Sequence, residues 1–194
     1  MKKNYSKIAL IVALIIMIGL IGYLVYGYAK KLNNNTQNPV VTMEIKDYGT
    51  VKMELYPQMA PNTVTNFIKL AENGYYDGLT FHRIIEGFMM QGGQGPTTSK
   101  TIKGEFLANG IDNSISHTRG TISMARADAY DSGSTQFFIM HQDDTRLDNY
   151  YAAFGHVTKG IEVVDKICKK ANPIDDNGTI KNEEQPIIEY IKVI

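Results

Sequence analysis

From Ile8 to Ala29 the chain runs 22 residues without a charge, rich in Ile and Leu. As a helix this stretch reaches about 33 Å, enough to cross a bilayer. The pattern then changes to alternation. Val41, Met43 and Ile45 alternate with polar residues, as do Val51, Met53 and Leu55, and Asp47-Tyr48-Gly49 lies between them. That predicts a hairpin with one buried face. Pro61 can open a helix whose apolar face is Val64, Phe67, Ile68 and Ala71, ended by Asn73-Gly74. Strands are predicted at 80–85 and 88–91. The stretch 92–117, rich in Gly, Thr, Ser and Asn, reads as loop. Further strands follow at 121–125 and 136–140, joined by the polar loop 128–134, and at 152–157. Ile161, Val163, Val164 and Ile167 mark a second helix, and 186–194 is the closing strand. Within 136–140, Gln136 and Phe138 share one face while Phe137 and Ile139 point into the core; Met89 and Gln91 likewise share a face.

Many strands with two short helices predict a mainly β fold, a closed antiparallel barrel with helical caps and no exposed edge. The organisation expected is a cytoplasmic tip and transmembrane anchor over 1–32, a tether over 33–39 and one globular domain over 40–194. The apolar run is long and ends in Tyr-Gly-Tyr-Ala-Lys-Lys without a small-residue cleavage site, so an uncleaved, single-pass anchor through residues 8–29 is expected. Lys2, Lys3 and Lys7 precede it and Lys30 and Lys31 follow, which favours a cytoplasmic N-terminus and an extracytoplasmic domain.

Formal net charge is zero, but residues 1–32 hold five lysines and no acid, leaving 15 basic and 20 acidic residues in the remainder. A domain at −5 without a basic stripe excludes nucleic acid as a main partner. Cys168 is the one cysteine, so no intramolecular disulfide forms. It falls on the apolar stripe of the second helix and reads as a buried, inert thiol. The four histidines are widely spaced and support no metal site. A hydrolase built from Ser134, His141 and Asp143 lacks the G-x-S-x-G elbow. Gly92-Gly93 is not followed by the Gly-Lys-Ser/Thr of a phosphate loop. His82 reads as a satisfied structural residue.

The most informative segment is Phe81-His82-Arg83-Ile84-Ile85-Glu86-Gly87-Phe88-Met89-Met90-Gln91-Gly92-Gly93. After it come Ser123-Met124-Ala125-Arg126 and then Gly133-Ser134-Thr135-Gln136-Phe137-Phe138-Ile139, with Leu147-Asp148 and Ala153-Phe154-Gly155 beyond. In this order the blocks resemble the cyclophilin family of peptidyl-prolyl cis-trans isomerases, over essentially all of 40–194. The resemblance is to bacterial-type members, and with the expected anchor it describes a membrane-anchored isomerase. It implies an eight-stranded barrel with two capping helices, and Arg83 as the catalytic residue. It also implies a substrate groove lined by Phe88, Met89, Gln91, Ala125, Arg126, Gln136, Phe138, Leu147 and Tyr151.

The residue types suit that chemistry. Rotation about an X–Pro bond opposes amide resonance, with a barrier of about 18–20 kcal/mol. No bond breaks, so no cofactor or metal is expected. The site must hold a proline ring and place a cationic donor by the amide nitrogen as conjugation is lost. The partners expected are proline-containing polypeptides, exported proteins folding at the membrane surface. Arg146 stands where many family members have a Trp that helps bind cyclosporin, which implies weak affinity for that drug. Arg126 stands where many have Asn, and Tyr151 where many have His. The loop 92–100 lacks the Asp common in the family after the two glycines. The departures at Arg126, Arg146 and 92–100 support an alternative, a membrane-tethered module or holdase chaperone that grips Pro segments with little turnover.

Overall fold

The computed structural model describes residues 5–34, 38–96 and 100–194. The chain divides into two compact units, Met1–Gln37 and Asn38–Ile194. The first holds one helix, α1 (Tyr5–Asn34). The side chains described in it, residues 13–27, are exposed. Among the described residues no helix is long and apolar enough to cross a membrane. The expected single-pass anchor through 8–29, with a cytoplasmic N-terminus and the domain outside, is therefore corrected. Of the lysines behind the expected orientation, Lys2 and Lys3 lie outside the described residues, as do residues 35–37 of the expected tether.

The second unit is one sheet of eight antiparallel strands with two α-helices. In chain order the elements are β1 (Val40–Ile45), β2 (Gly49–Leu55), α2 (Pro61–Glu72), β3 (Phe81–Ile85) and β4 (Met89–Gly92). They continue with β5 (Thr121–Met124), β6 (Phe137–Met140), β7 (Ala153–Lys159), α3 (Ile161–Lys170) and β8 (Ile188–Val193). Across the sheet the order is β3-β4-β6-β5-β7-β2-β1-β8. The first hairpin pairs Met43 with Val51 and Val41 with Met53, so its alternating apolar residues share the buried face.

The sheet curls round, but the ladder does not close. Between β3 and β8 there is an isolated bridge, Thr80 with Ile187, beside the bonds Phe81 N to Pro186 O (3.0 Å) and Ile188 N to Leu79 O (2.8 Å). The expected closed barrel is corrected to an open sheet, a half-barrel. Pro186 has no N–H to give a ladder. The outer edge of β3 is occupied instead by residues 178–180, through Ile84 N to Gly178 O (2.8 Å) and Ile180 N to His82 O (2.9 Å).

Side-chain alternation divides the sheet into two faces. Phe137 and Ile139 of β6 and Met90 of β4 join the main core, where Phe67, Tyr76, Phe137 and Phe154 pack ring against ring at 5.2–5.4 Å. Phe138, Met140 and Met89 form a second, outer cluster with Phe88, Leu147 and Tyr151. The groove that contains Arg83 grows from this cluster.

The helices pack on the sheet, α2 against β8 and α3 against β2 and β4. Helix α2 buries Val64, Phe67 and Ala71, and Ala60 before it offers no side-chain cap. The buried carboxylate of Glu105 caps it from a distance, accepting from Asn62 N (2.9 Å), Thr63 N (2.8 Å) and Thr63 Oγ1 (2.7 Å). Helix α3 buries Val163, Val164, Ile167 and Cys168. Burial, then Asp165 and Glu86, pushes the Cys168 thiol up to about 12.

Candidate active site

Arg83 sits in β3 and Gln91 lies opposite it in β4; Gln91 in turn faces Phe138 of β6. Three adjacent strands thus set a cation, an amide and a ring side by side. Arg83, Phe88, Met89, Gln91, Ala125, Arg126, Phe138, Leu147 and Tyr151 line one cavity of about 200 Å³. Of the residues expected to form a groove, Gln136 alone is outside that lining. It stands one step behind, accepting from Gln91 Nε2 through its Oε1 at 2.8 Å.

The guanidinium of Arg83 is fixed on one side. Its Nε donates to Asn177 O (2.7 Å) and Asn177 Oδ1 (3.2 Å). Nη1 makes longer contacts, to Gln91 Oε1 (3.4 Å) and Met89 Sδ (3.6 Å), and Phe88 lies 6.0 Å from the guanidinium carbon. Nη2 has no partner among the described residues. Burial lowers the Arg83 pKa from its ordinary value, and Tyr151 and Asp175 oppose that; the group stays cationic at any pH the fold survives. His82 beside it is corrected from a satisfied residue to an unsatisfied one, since its buried Nδ1 has no hydrogen-bond partner among the described residues. Burial, then the charge of Arg83, depresses its pKa and keeps the ring neutral near neutral pH.

The apolar floor is braced from behind. Phe138 is 5% exposed, edge-on to Tyr151 at 5.8 Å and stacked on His117 at 5.9 Å. The His117 ring runs from Asp148 Oδ1 (2.8 Å, at Nδ1) to Ser123 Oγ (3.0 Å, at Nε2). Asp148 also accepts from His117 N and Ser116 Oγ, both at 2.7 Å. Burial raises the Asp148 pKa, but these donors outweigh it and hold the carboxylate below its usual range. Burial also lowers the His117 pKa against the pull of Asp148, and the neutral ring donates its Nδ1–H as a hydrogen bond to the carboxylate. A Ser-His-Asp array invites a hydrolytic reading, but Ser123 and His117 are fully buried and no substrate reaches them. The array fastens the segment bearing Leu147 and Tyr151 to the back of Phe138. The other hydrolase candidate is dispersed: His141 Nδ1 is taken by Gly87 N at 2.8 Å.

Arg126 crosses one end of the cavity. Its Nε donates to Tyr150 O (3.0 Å) and its Nη1 to Ala127 O (2.9 Å), and its carbon lies over the rings of Tyr151 (4.6 Å), Tyr130 (5.1 Å) and Phe106 (5.3 Å).

Sequence reasoning missed Asn177, His117 and Ser123. Asp175-Asp176-Asn177-Gly178 carries a turn signature, but nothing in it points to β3. Single histidines and serines announce no partner when the pairing spans 31 and 6 positions.

A family model described as cyclophilin type peptidyl-prolyl cis-trans isomerase/CLD matches residues 40–193. Peptidyl-prolyl cis-trans isomerase B of Bacillus subtilis is 46% identical over 123 residues, 61% of this chain and 82% of the relative. A peptidyl-prolyl cis-trans isomerase of Acinetobacter baylyi is 37% identical over 162 residues, 80% of this chain and 85% of the relative. A cyclophilin type peptidyl-prolyl cis-trans isomerase of Cryptosporidium parvum superposes with a TM-score of 0.69 at 25% identity, covering 81% of this chain and 98% of that one. The same Cryptosporidium protein, crystallised in the presence of the dipeptide Ala-Pro, gives 0.68 over 80% and 98%.

Proposed function

The chain belongs to the cyclophilin family and is a peptidyl-prolyl cis-trans isomerase, and from that premise we propose that the Arg83 groove is where it turns X–Pro bonds. The observation that carries this is Arg83 itself: a cation clamped by Asn177 through Nε, beside an apolar floor, with Nη2 unspent. The proline ring rests on Phe88, Met89, Phe138 and Leu147. Gln91, steadied by Gln136, takes the peptide backbone without adding charge.

As the amide twists, its nitrogen loses conjugation and becomes a hydrogen-bond acceptor. Arg83 donates to that nitrogen and favours the twisted form over either planar one. One such preorganised donor is worth about 2.7–4 kcal/mol. The apolar floor adds to this by binding the twisted conformer and strengthening the Arg83 bond. No group gains or loses a proton, so the cycle needs nothing but the groove.

The clients in this reading are proline-containing polypeptides whose folding waits on slow X–Pro exchange. With no membrane-crossing helix among the described residues, a membrane site of action is not part of it. Weak cyclosporin affinity is part of it: the side chain at 146 is a solvent-facing arginine, paired with Asp144 at 2.6 Å, in place of an indole.

Turnover separates this reading from a holdase. Refolding of a protein limited by X–Pro isomerisation should speed up at a hundredth of an equivalent of the full chain. A benefit that needs stoichiometric amounts and survives Arg83→Ala would favour the binding module instead.

A further inference from the structure

The groove carries a charge pattern that the rotation does not use. Two cavities meet at Arg126. One is the groove; the other is a small cleft of about 10 Å³ between Phe106 and Tyr130, with Lys103 in its lining. Together the two linings hold the cations Arg83, Lys103 and Arg126 and no Asp or Glu. The surrounding unit has the opposite sign, with 15 Lys and Arg against 20 Asp and Glu over residues 33–194.

Arg126 is oriented without being neutralised. Its partners are the carbonyls of Tyr150, Ala127 and Asp128 and three aromatic faces. Unlike Arg119 and Arg146, it has no ion pair among the described residues. The neighbouring carboxylates are hydrogen-bonded elsewhere, with Asp131 still close to Lys103 and Asp175 to Arg83. Asp131 Oδ1 accepts from Gly104 N (2.9 Å) and Asn109 Nδ2 (2.7 Å). Glu105 is buried against the start of α2. Asp175, near Arg83, accepts from Thr179 N at 2.9 Å. Arg126 Nη2 has no described partner.

We propose that Arg126, helped by Lys103, selects clients by charge: X–Pro segments with an Asp or Glu close to the proline are turned over faster than those with Lys or Arg there. This rests on the groove being the proline site. The ligand of Arg126 is a carboxylate of the client chain, for which a pre-oriented guanidinium is suited. A lysine in the same place meets two cations, while the nearby carboxylates Asp131 and Asp175 face their own hydrogen-bond donors.

The test is a set of proline tetrapeptides differing by Glu, Gln or Lys at each flanking position, assayed for kcat/KM with the full chain at low ionic strength. At the position that reaches Arg126, Glu should exceed Lys by about three- to tenfold. The ratio should fall towards one at 1 M salt, where the Debye length shrinks to about 3 Å. Arg126→Gln should bring it within about twofold of one, and Arg126→Lys should keep its sign. Lys103→Gln, at an exposed position, should reduce the ratio in part. Equal rates for all peptides, or a ratio unchanged in Arg126→Gln, would overturn the charge inference alone. No acceleration of any peptide would overturn the proline-site reading with it.

Discussion

Arg83 is held by one nitrogen and offers another. The Asn177 contacts at 2.7 and 3.2 Å set the plane of the guanidinium, and a lysine has no such plane. Arg83→Lys should therefore keep the charge and the fold yet lower kcat about tenfold or more, with KM little changed. A variant with wild-type kcat would show that charge alone suffices. Cys168 makes the contrasting case of a chemically capable group kept idle. At 1% exposure, with its thiol pushed up to about 12, it should resist iodoacetamide in the native protein and react once unfolded. Labelling under native conditions would contradict its burial. The groove residues were legible because several motif blocks occur in order. Asn177 was not, because it meets Arg83 across 94 positions through a turn.

Strand alternation was readable where both faces are apolar in different ways. Phe137 and Phe138 are adjacent rings of one type, yet period-two geometry sends the first to the core and the second to the groove. Loops were not readable in this way, and two of them carry the site. The 175–180 segment lies on the edge of β3, and Gly178 allows that approach. Its φ is +85°, and a Cβ there would stand 2.8 Å from Ile84 O. Gly178→Ala should push Asn177 off Arg83 and lower kcat/KM several-fold while the circular dichroism of the sheet is retained. Full activity in this variant would mean that the loop does not position Arg83. The loop before the short 3-10 turn Leu107–Asn109 carries Glu105, which ties the start of α2 to the wall holding Phe106. Nothing in the local sequence marks Glu105 as a helix cap, because the helix it caps begins more than forty positions earlier.

At the scale of the molecule, two expectations changed. Strand count and pattern predicted a closed barrel, but pairing of the last strand to β3 depends on Pro186 and on what else competes for that edge. Neither is visible in periodicity. The apolar N-terminal run predicted a membrane span, and among the described residues no helix is long and apolar enough to cross a membrane. A property of the whole fold follows from three histidines. Burial lowers the pKa of His82, His117 and His156. Unfolded histidine titrates near 6.5. Below that pH the unfolded chain binds protons that the folded chain refuses, so this part of the stability is fully present above about pH 6.5. It is lost as pH falls towards the folded values. The melting temperature should be level above about pH 7 and decline from about 6.5 to 5. His117→Gln, which keeps an amide in place of the ring, should shallow that decline. A melting temperature that rises over the same interval would contradict the sign.

The most direct measurement is cis/trans exchange of a proline tetrapeptide with the full chain and with Arg83→Ala. The account predicts strong acceleration by the first and a loss of about 10²–10³ in kcat/KM in the second, with the same melting curve. Acceleration that survives intact in a folded Arg83→Ala protein would contradict it.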